Sequence, residues 1–262
     1  MIAIASDIGW TGLAGSLVLV AVAIVISLSR RLGLERSIVW ASARAVVQLM
    51  AVGVALTFML HAGRTIAYAW AWVFAMLFFA AETVRRRARD VPDVFALTLA
   101  AFAAAAVVSL GVLFGLGVFP LEARTLIPMA GMMIGNSMTS TVLVARRVLE
   151  ELRDKRDEVE ARLALGLPST EAARPYVRAA LRTALVPQIE TTKAVGLVFL
   201  PGAMTGLILA GVAPLAAVRV QAAVMYLVLG SSATTTAVVA LGVQRRLFSR
   251  DHRLIVPSRP AD

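Results

Sequence analysis

The residues best equipped for chemistry fall in two places. The first is a polar run inside an apolar stretch, TLIPMAGMMIGNSMTSTVLVA from Thr125 to Ala145, with Asn136, Ser137, Thr139, Ser140 and Thr141 near its middle. A carboxamide surrounded by hydrocarbon needs a partner or a watered path, and polar groups inside a membrane often mark a route for solute. Met129, Met132, Met133 and Met138 flank Asn136. Their thioethers suit soft metals and serve equally well as apolar filler. Met132, Met133, Asn136, Ser137 and Met138 are therefore candidates for a translocation path, with interhelical packing the competing role for Asn136. Gln48 joins them, because it lies too deep in another apolar stretch to reach water, whereas Arg44 one turn earlier can snorkel. No set of metal ligands can be named from the sequence.

The second place is the polar block from Arg146 to Lys193, which mixes ten basic with eight acidic residues. Glu151 with Lys155 and Arg153 with Asp157 stand at helical i,i+4 spacing, and Leu149, Leu152, Val159 and Leu163 lie near one stripe. Gly166, Pro168 and Ser169 stop this helix, and Ser169 or Thr170 can cap a second one running through Arg182. The block reads as helix, turn, helix.

Several chemistries are excluded by what is missing. The chain has no cysteine and only two histidines, His61 and His252, far apart in sequence, which removes disulfides, thiol catalysis and Cys/His zinc sites. No G-x-x-x-x-G-K-[ST] occurs, and neither lysine, Lys155 or Lys193, follows a glycine-rich phosphate cradle, so the chain is not its own ATPase. No Asp or Glu falls well inside an apolar stretch, Glu82 being at an end, so a carboxylate relay for proton-driven transport is not expected. The sequence describes a protein without an active site of its own and without a bound cofactor.

Seven elements must position these residues. At 262 residues and 59% hydrophobic, the chain is well above an ordinary soluble domain. Stretches long enough for a hydrocarbon core roughly 30 Å thick run from Ile8 to Ser29, Val39 to Leu60, Thr65 to Ala81, Val94 to Phe119, Thr125 to Ala145, Ala194 to Val212 and Val220 to Val243. Continuous apolar runs call for helices, not barrel strands. The fold class expected is all-α: a polytopic helical membrane protein of about seven transmembrane helices. Residues 1–243 would form one membrane domain, with 146–193 as its cytoplasmic loop and 244–262 as a mobile basic tail.

Orientation follows from charge. Of the 26 Lys and Arg, 22 follow the first, third, fifth and seventh spans, while Arg64, Arg124 and Arg219 lie on the other side and Arg44 within the second span. Basic residues beside spans are retained in the cytoplasm, which puts the amino terminus outside and the carboxyl terminus inside. The surplus of +10 is thus topological, and nucleic acid is not an expected partner. The first span lacks a preceding basic residue and is long for a signal peptide, so it should be retained.

Small residues at four-residue spacing let helix backbones approach closely. Gly131, Gly135 and Thr139 in the fifth span and Gly202, Gly206 and Ala210 in the sixth have this spacing, and Pro201 before Gly202 predicts a kink or hinge. The hydroxyls of Ser231, Ser232, Thr234, Thr235 and Thr236 are expected to bond the preceding turn of their own helix, and Arg44 is placed to pair with Glu82.

Two resemblances add function to this frame. Glu160-Ala161, Gly166 six residues after the Glu, and a closing Leu185-Val186-Pro187 resemble the EAA loop of ATP-binding-cassette permeases, although Arg162 replaces the usual second alanine and the ending comes late. In that family the loop is the coupling helix that docks on a separate ATPase. The resemblance implies that Glu160, Ala161, Gly166, Pro168 and Pro187 couple to such a partner. More extensively, RAVVQL at Arg44–Leu49, IPMAGMMIGNSM at Ile127–Met138, LALGLPSTEAA at Leu163–Ala173 and ALVPQIETTKAVGLVFLPGAMTGLILAGVAP at Ala184–Pro214 resemble the FetB-type permease family. That family implies a multi-pass subunit of the bacterial inner membrane. It would work as a homodimer with a cytoplasmic ATPase that binds ATP-Mg, associated with export of iron or a related metal and with plant relatives linked to aluminium tolerance. A self-sufficient secondary transporter is the alternative, followed by an intramembrane enzyme or a scaffold.

Overall fold

The computed structural model describes residues 10–59, 66–249 and 251–255, and among them every regular element is a helix. In order these are α1 (Trp10–Ser29), α2 (Glu35–Met59), α3 (Ile66–Arg87), α4 (Val94–Gly115), α5 (Ala123–Asp154), α6 (Arg156–Ala164), α7 (Ser169–Ala194), α8 (Gly202–Leu209) and α9 (Pro214–Arg246). Five of them, α2, α3, α4, α5 and α9, are long and apolar enough to cross a membrane, and α1 contributes a shorter apolar helix over Ala14–Ser29. The all-helical, polytopic architecture is that of a membrane protein. His61, Arg64, Arg250, Arg259 and the extreme amino terminus lie outside the described residues.

The chain divides into two compact units, residues 1–65 with 205–217 and residues 66–204 with 218–262. In the first unit α1 and α2 pack as a hairpin. Its turn is tight because Arg31 and Gly33 take positive φ, 52° and 67°. Ser27 holds it closed, donating to the Glu35 carboxylate at 2.7 Å and accepting the Leu34 N–H at 3.2 Å.

The second unit is built around α5. One face of this helix, running from Leu126 through Met133, Ser137, Val144 and Val148 to Leu152, is fully buried, against α3, α4 and α7. The hydroxyls on that face are satisfied locally: Ser137 Oγ donates to the Met133 carbonyl at 2.6 Å and Thr141 Oγ1 to the Ser137 carbonyl at 2.7 Å. Ser231, Thr234, Thr235 and Thr236 of α9 bond their own preceding turn in the same way. Close approach is set by particular glycines. A side chain at Gly131 would press on the Met76 methyl at 3.2 Å, and one at Gly242 would overlap Leu97 of α4.

The structure corrects the sequence reading in five places. The stretch Ala194–Val212 is not a continuous helix. Gly196 turns the chain at φ 85°, its N–H reaching the Phe199 carbonyl at 2.9 Å, and Pro201 lacks a donor, so residues 195–201 are non-helical and α8 has only 8 residues. The second helix of the 146–193 block does not end near Arg182 but runs on to Ala194 as α7, back along α5. α7 can do so because Ala172, Ala173, Val177, Ala180 and Ala184 form a small, buried seam. The helix at Arg146 breaks at Lys155, which pairs with Glu158 at 2.7 Å, while Glu151 pairs with Arg147 at 3.0 Å. Glu82 is held by Arg85 and Arg86 of its own helix at 2.6 and 2.8 Å. Finally, the start of the tail is ordered. α9 continues to Arg246, Phe248 bridges Leu254, and Leu247 is fully buried.

Three connections meet at one end of the second unit. Arg246 donates to the Asp93 carbonyl at 2.8 Å, Gln244 to the Thr170 carbonyl at 3.3 Å, and His252 contacts Ser169. The α3–α4 turn, the α6–α7 turn and the end of α9 therefore share an end, and these are the segments that carry the basic surplus.

Candidate functional site

Two concave regions of the second unit contain residues singled out by the sequence. At the basic end, a groove of about 690 Å³ is lined by Arg156, Glu160, Leu163, Gly166, Leu167 and Pro168 from the α6–α7 turn and by 251–254 from the tail. Gly166 has φ 86°, a conformation that only glycine adopts without strain, and Pro168 leads into α7. Ser169 does not cap α7 through its own side chain. His252 substitutes from the tail, its Nδ1 lying 2.9 Å from Ser169 Oγ and 3.3 Å from the Ser169 N–H. Glu160 pairs with Arg156 at 2.6 Å, which raises the Arg156 pKa further through their hydrogen bond.

Glu158 ties α6 to α7. Its carboxylate takes Lys155 on one side and the Tyr176 hydroxyl, at 2.9 Å, on the other, and these two hydrogen bonds hold it below the usual carboxylate range. The Arg162 guanidinium lies 5.8 Å from the Tyr176 ring centroid. Ala161 is in α6 and does not line the groove. Pro187 is not part of this turn at all. It lies inside α7, roughly 28 Å along the helix from Pro168 at 1.5 Å per residue.

The second region is a pocket of about 200 Å³ bounded by α5, α7, the 195–201 segment and α9. Met132 and Asn136 enter it from α5, Gln188 and Thr191 from α7, and Gln221 and Met225 from α9. The register is that of an antiparallel hairpin. Asn136 stands roughly 27 Å along α5 from Asp154, and Gln188 roughly 28 Å along α7 from Ser169. Because Asn136 is at the centre of the Thr125–Ala145 stretch, the pocket lies level with the middle of that predicted span. On the neighbouring segment of α7, Glu190 and Lys193 pair at 2.9 Å with 60% and 67% of their side chains exposed.

Of the candidate path residues in the second unit, only Met132 and Asn136 line this pocket. Met133 and Ser137 are fully buried on the adjacent stripe, in packing positions, and Met138 is half-buried away from the lining. Gln48 is exposed on α2, in the first unit. Gly135, Gly202 and Gly206 have no atom within 4 Å of an added Cβ, so within this chain they mark no close helix contact. Pro201 and Gly202 form the break before α8 and line the pocket. Gln188, Thr191, Gln221 and Met225 were missed. The available signal was the alanine seam of α7, which marks a helix packed against another helix rather than a solvated loop.

Fold and site together define a polytopic helical membrane protein with uncharged polar groups gathered level with the middle of an apolar helix and a charged helical turn at one end. Residues 10–248 match the model of the family described as "Uncharacterised protein family (UPF0014)", and the chain belongs to that family. Among its relatives, the UPF0014 membrane protein STAR2 of Oryza sativa subsp. japonica is 39% identical over 217 residues, covering 83% of this chain and 76% of the relative. The probable iron export permease protein FetB of Escherichia coli (strain K12) is 31% identical over 244 residues, covering 93% and 94%. Protein ALUMINUM SENSITIVE 3 of Arabidopsis thaliana is 34% identical, covering 85% and 81%. No solved structure matches the chain.

Proposed function

We propose that this chain is the permease subunit of an ATP-binding-cassette transporter of the bacterial inner membrane. It moves iron or a related metal ion outward with energy from a separate ATPase subunit that binds ATP-Mg. Two copies of the chain work with two ATPases. The observation that carries this reading is the groove at the basic end. Glu160, Gly166 and Pro168 form an exposed helical turn, braced by the tail and continuous through α7 with the mid-span pocket, so a push on the turn reaches the pocket along one helix. Kinship with a relative named as an iron export permease supplies the cargo and the direction.

The test is reconstitution of the chain with its ATPase in lipid vesicles, scanning ferrous iron, manganese, zinc and aluminium for stimulated ATP hydrolysis and movement. Gly166→Trp should abolish both while the protein remains in the membrane, because a side chain at that φ strains the turn that docks. Full transport by that variant would remove the coupling assignment. One observation favours a second reading, a secondary carrier: the Glu190–Lys193 pair on the segment of α7 neighbouring the pocket is the kind of charge that ion-coupled carriers use. Metal movement in vesicles without the ATPase would select it.

A further inference from the structure

We infer that the mid-span pocket is the cargo site, holding a divalent metal cation that keeps much of its water shell. This rests on the permease reading and assigns the site within it. Gln221 is only 6% exposed, it lines the pocket, and its Oε1 has no hydrogen-bond donor. A buried acceptor without a donor calls for a cation that it can coordinate or an ordered water that donates to it. The neighbouring groups are acceptors for the same reason. Asn136 Nδ2 donates to the Met132 carbonyl of its own helix at 2.7 Å, which fixes the carboxamide and leaves its oxygen to accept. Thr191 Oγ1 donates to the Pro187 carbonyl at 2.8 Å, which leaves its lone pairs. Among the described residues no basic side chain lines the cavity, so an anion finds no counter-charge from them.

Size and donor type narrow the ligand. The pocket's volume of about 200 Å³ is room for several waters around an ion, since one water needs only about 10–15 Å³ by this measure. Uncharged oxygens hold a cation weakly enough for release, which a transport site requires. The thioethers of Met132 and Met225 shift preference toward a softer ion than magnesium.

The test is equilibrium binding of ferrous iron, kept reduced, and of manganese to the purified full chain in lipid nanodiscs without any ATPase. Wild type should bind one ion per chain. Gln221→Leu and Gln188→Leu should each weaken binding by roughly tenfold or more, and Gln221→Glu, which adds a carboxylate in the same shape, should tighten it. Gly166→Trp should bind like wild type, since it lies in the turn and not in the pocket. Equal binding by all pocket variants, or none by wild type, overturns the assignment. ATP-driven metal transport that survives Gln221→Leu would do so as well while leaving the permease reading intact, and loss of that reading would show separately in the Gly166 vesicle experiment.

Discussion

Gln221 and Glu158 show how single residues report the design. A buried acceptor without a donor destabilises its host, by about 1–3 kcal/mol for a group of this kind, so Gln221→Leu should raise the thermal midpoint of the detergent-solubilised protein while removing cation binding. A lowered midpoint would mean that Gln221 has a structural role. Glu158 behaves in the opposite sense. Its folded-state pKa is depressed by Lys155 and Tyr176, so the stability it contributes is fully present above the ordinary value of 4.5 and is lost as pH falls through the lower folded value. Protection factors of the α6 amides, corrected for the intrinsic pH dependence of exchange, should therefore hold from pH 6 down to about 4.5 and fall as the solution is acidified further. Tyr176→Phe should flatten the response, at a cost of about 1 kcal/mol measured by the same exchange. A response unchanged in Tyr176→Phe would show that the hydroxyl contributes nothing. The chemical identity of these residues was legible in the sequence, and their partners were not, because Tyr176 and Glu158 meet only once α6 folds back on α7.

At the scale of elements, the lesson concerns which helices touch and where. Gly131, Gly135, Gly202 and Gly206 share the i,i+4 spacing that favours close packing, yet an added Cβ meets a neighbour only at Gly131. Gly242 has no such spacing and is the tightest contact, because closeness is a property of the partner helix as much as of the glycine. Gly242→Leu should lower thermal stability by roughly 1–3 kcal/mol, whereas Gly135→Leu should leave the midpoint of the isolated chain within about 0.5 kcal/mol; equal effects would contradict this packing. α7 is the element whose packing the sequence conceals. Its exposed face carries Arg174, Arg178, Glu190 and Lys193, which on composition alone belongs in water. Its other face is a seam of alanines buried on α5. Composition averages the two faces, and the packing separates them.

For the whole molecule, the absence of native cysteine makes topology directly measurable. Leu165, 83% exposed beside Gly166, and Leu116, 76% exposed after α4, lie at opposite ends of the second unit. With a membrane-impermeant thiol reagent, Leu165→Cys should label only in inside-out vesicles and Leu116→Cys only in right-side-out ones; the reverse pattern would invert the orientation. The sequence by itself determined that the chain is an all-helical, multi-pass membrane protein, which end is basic, and that it contains neither a cysteine nor a G-x-x-x-x-G-K-[ST] sequence. Those properties depend on hydrocarbon content, charge distribution and residue inventory, which are additive along the chain. Tertiary structure alone decided that α7 packs along α5, that the tail caps α7 through His252, and that Asn136, Gln188, Thr191 and Gln221 line one pocket. Those pairings join residues from separate helices, and the free energy that selects them is the close fit of one helix face on another, which no local window of sequence contains.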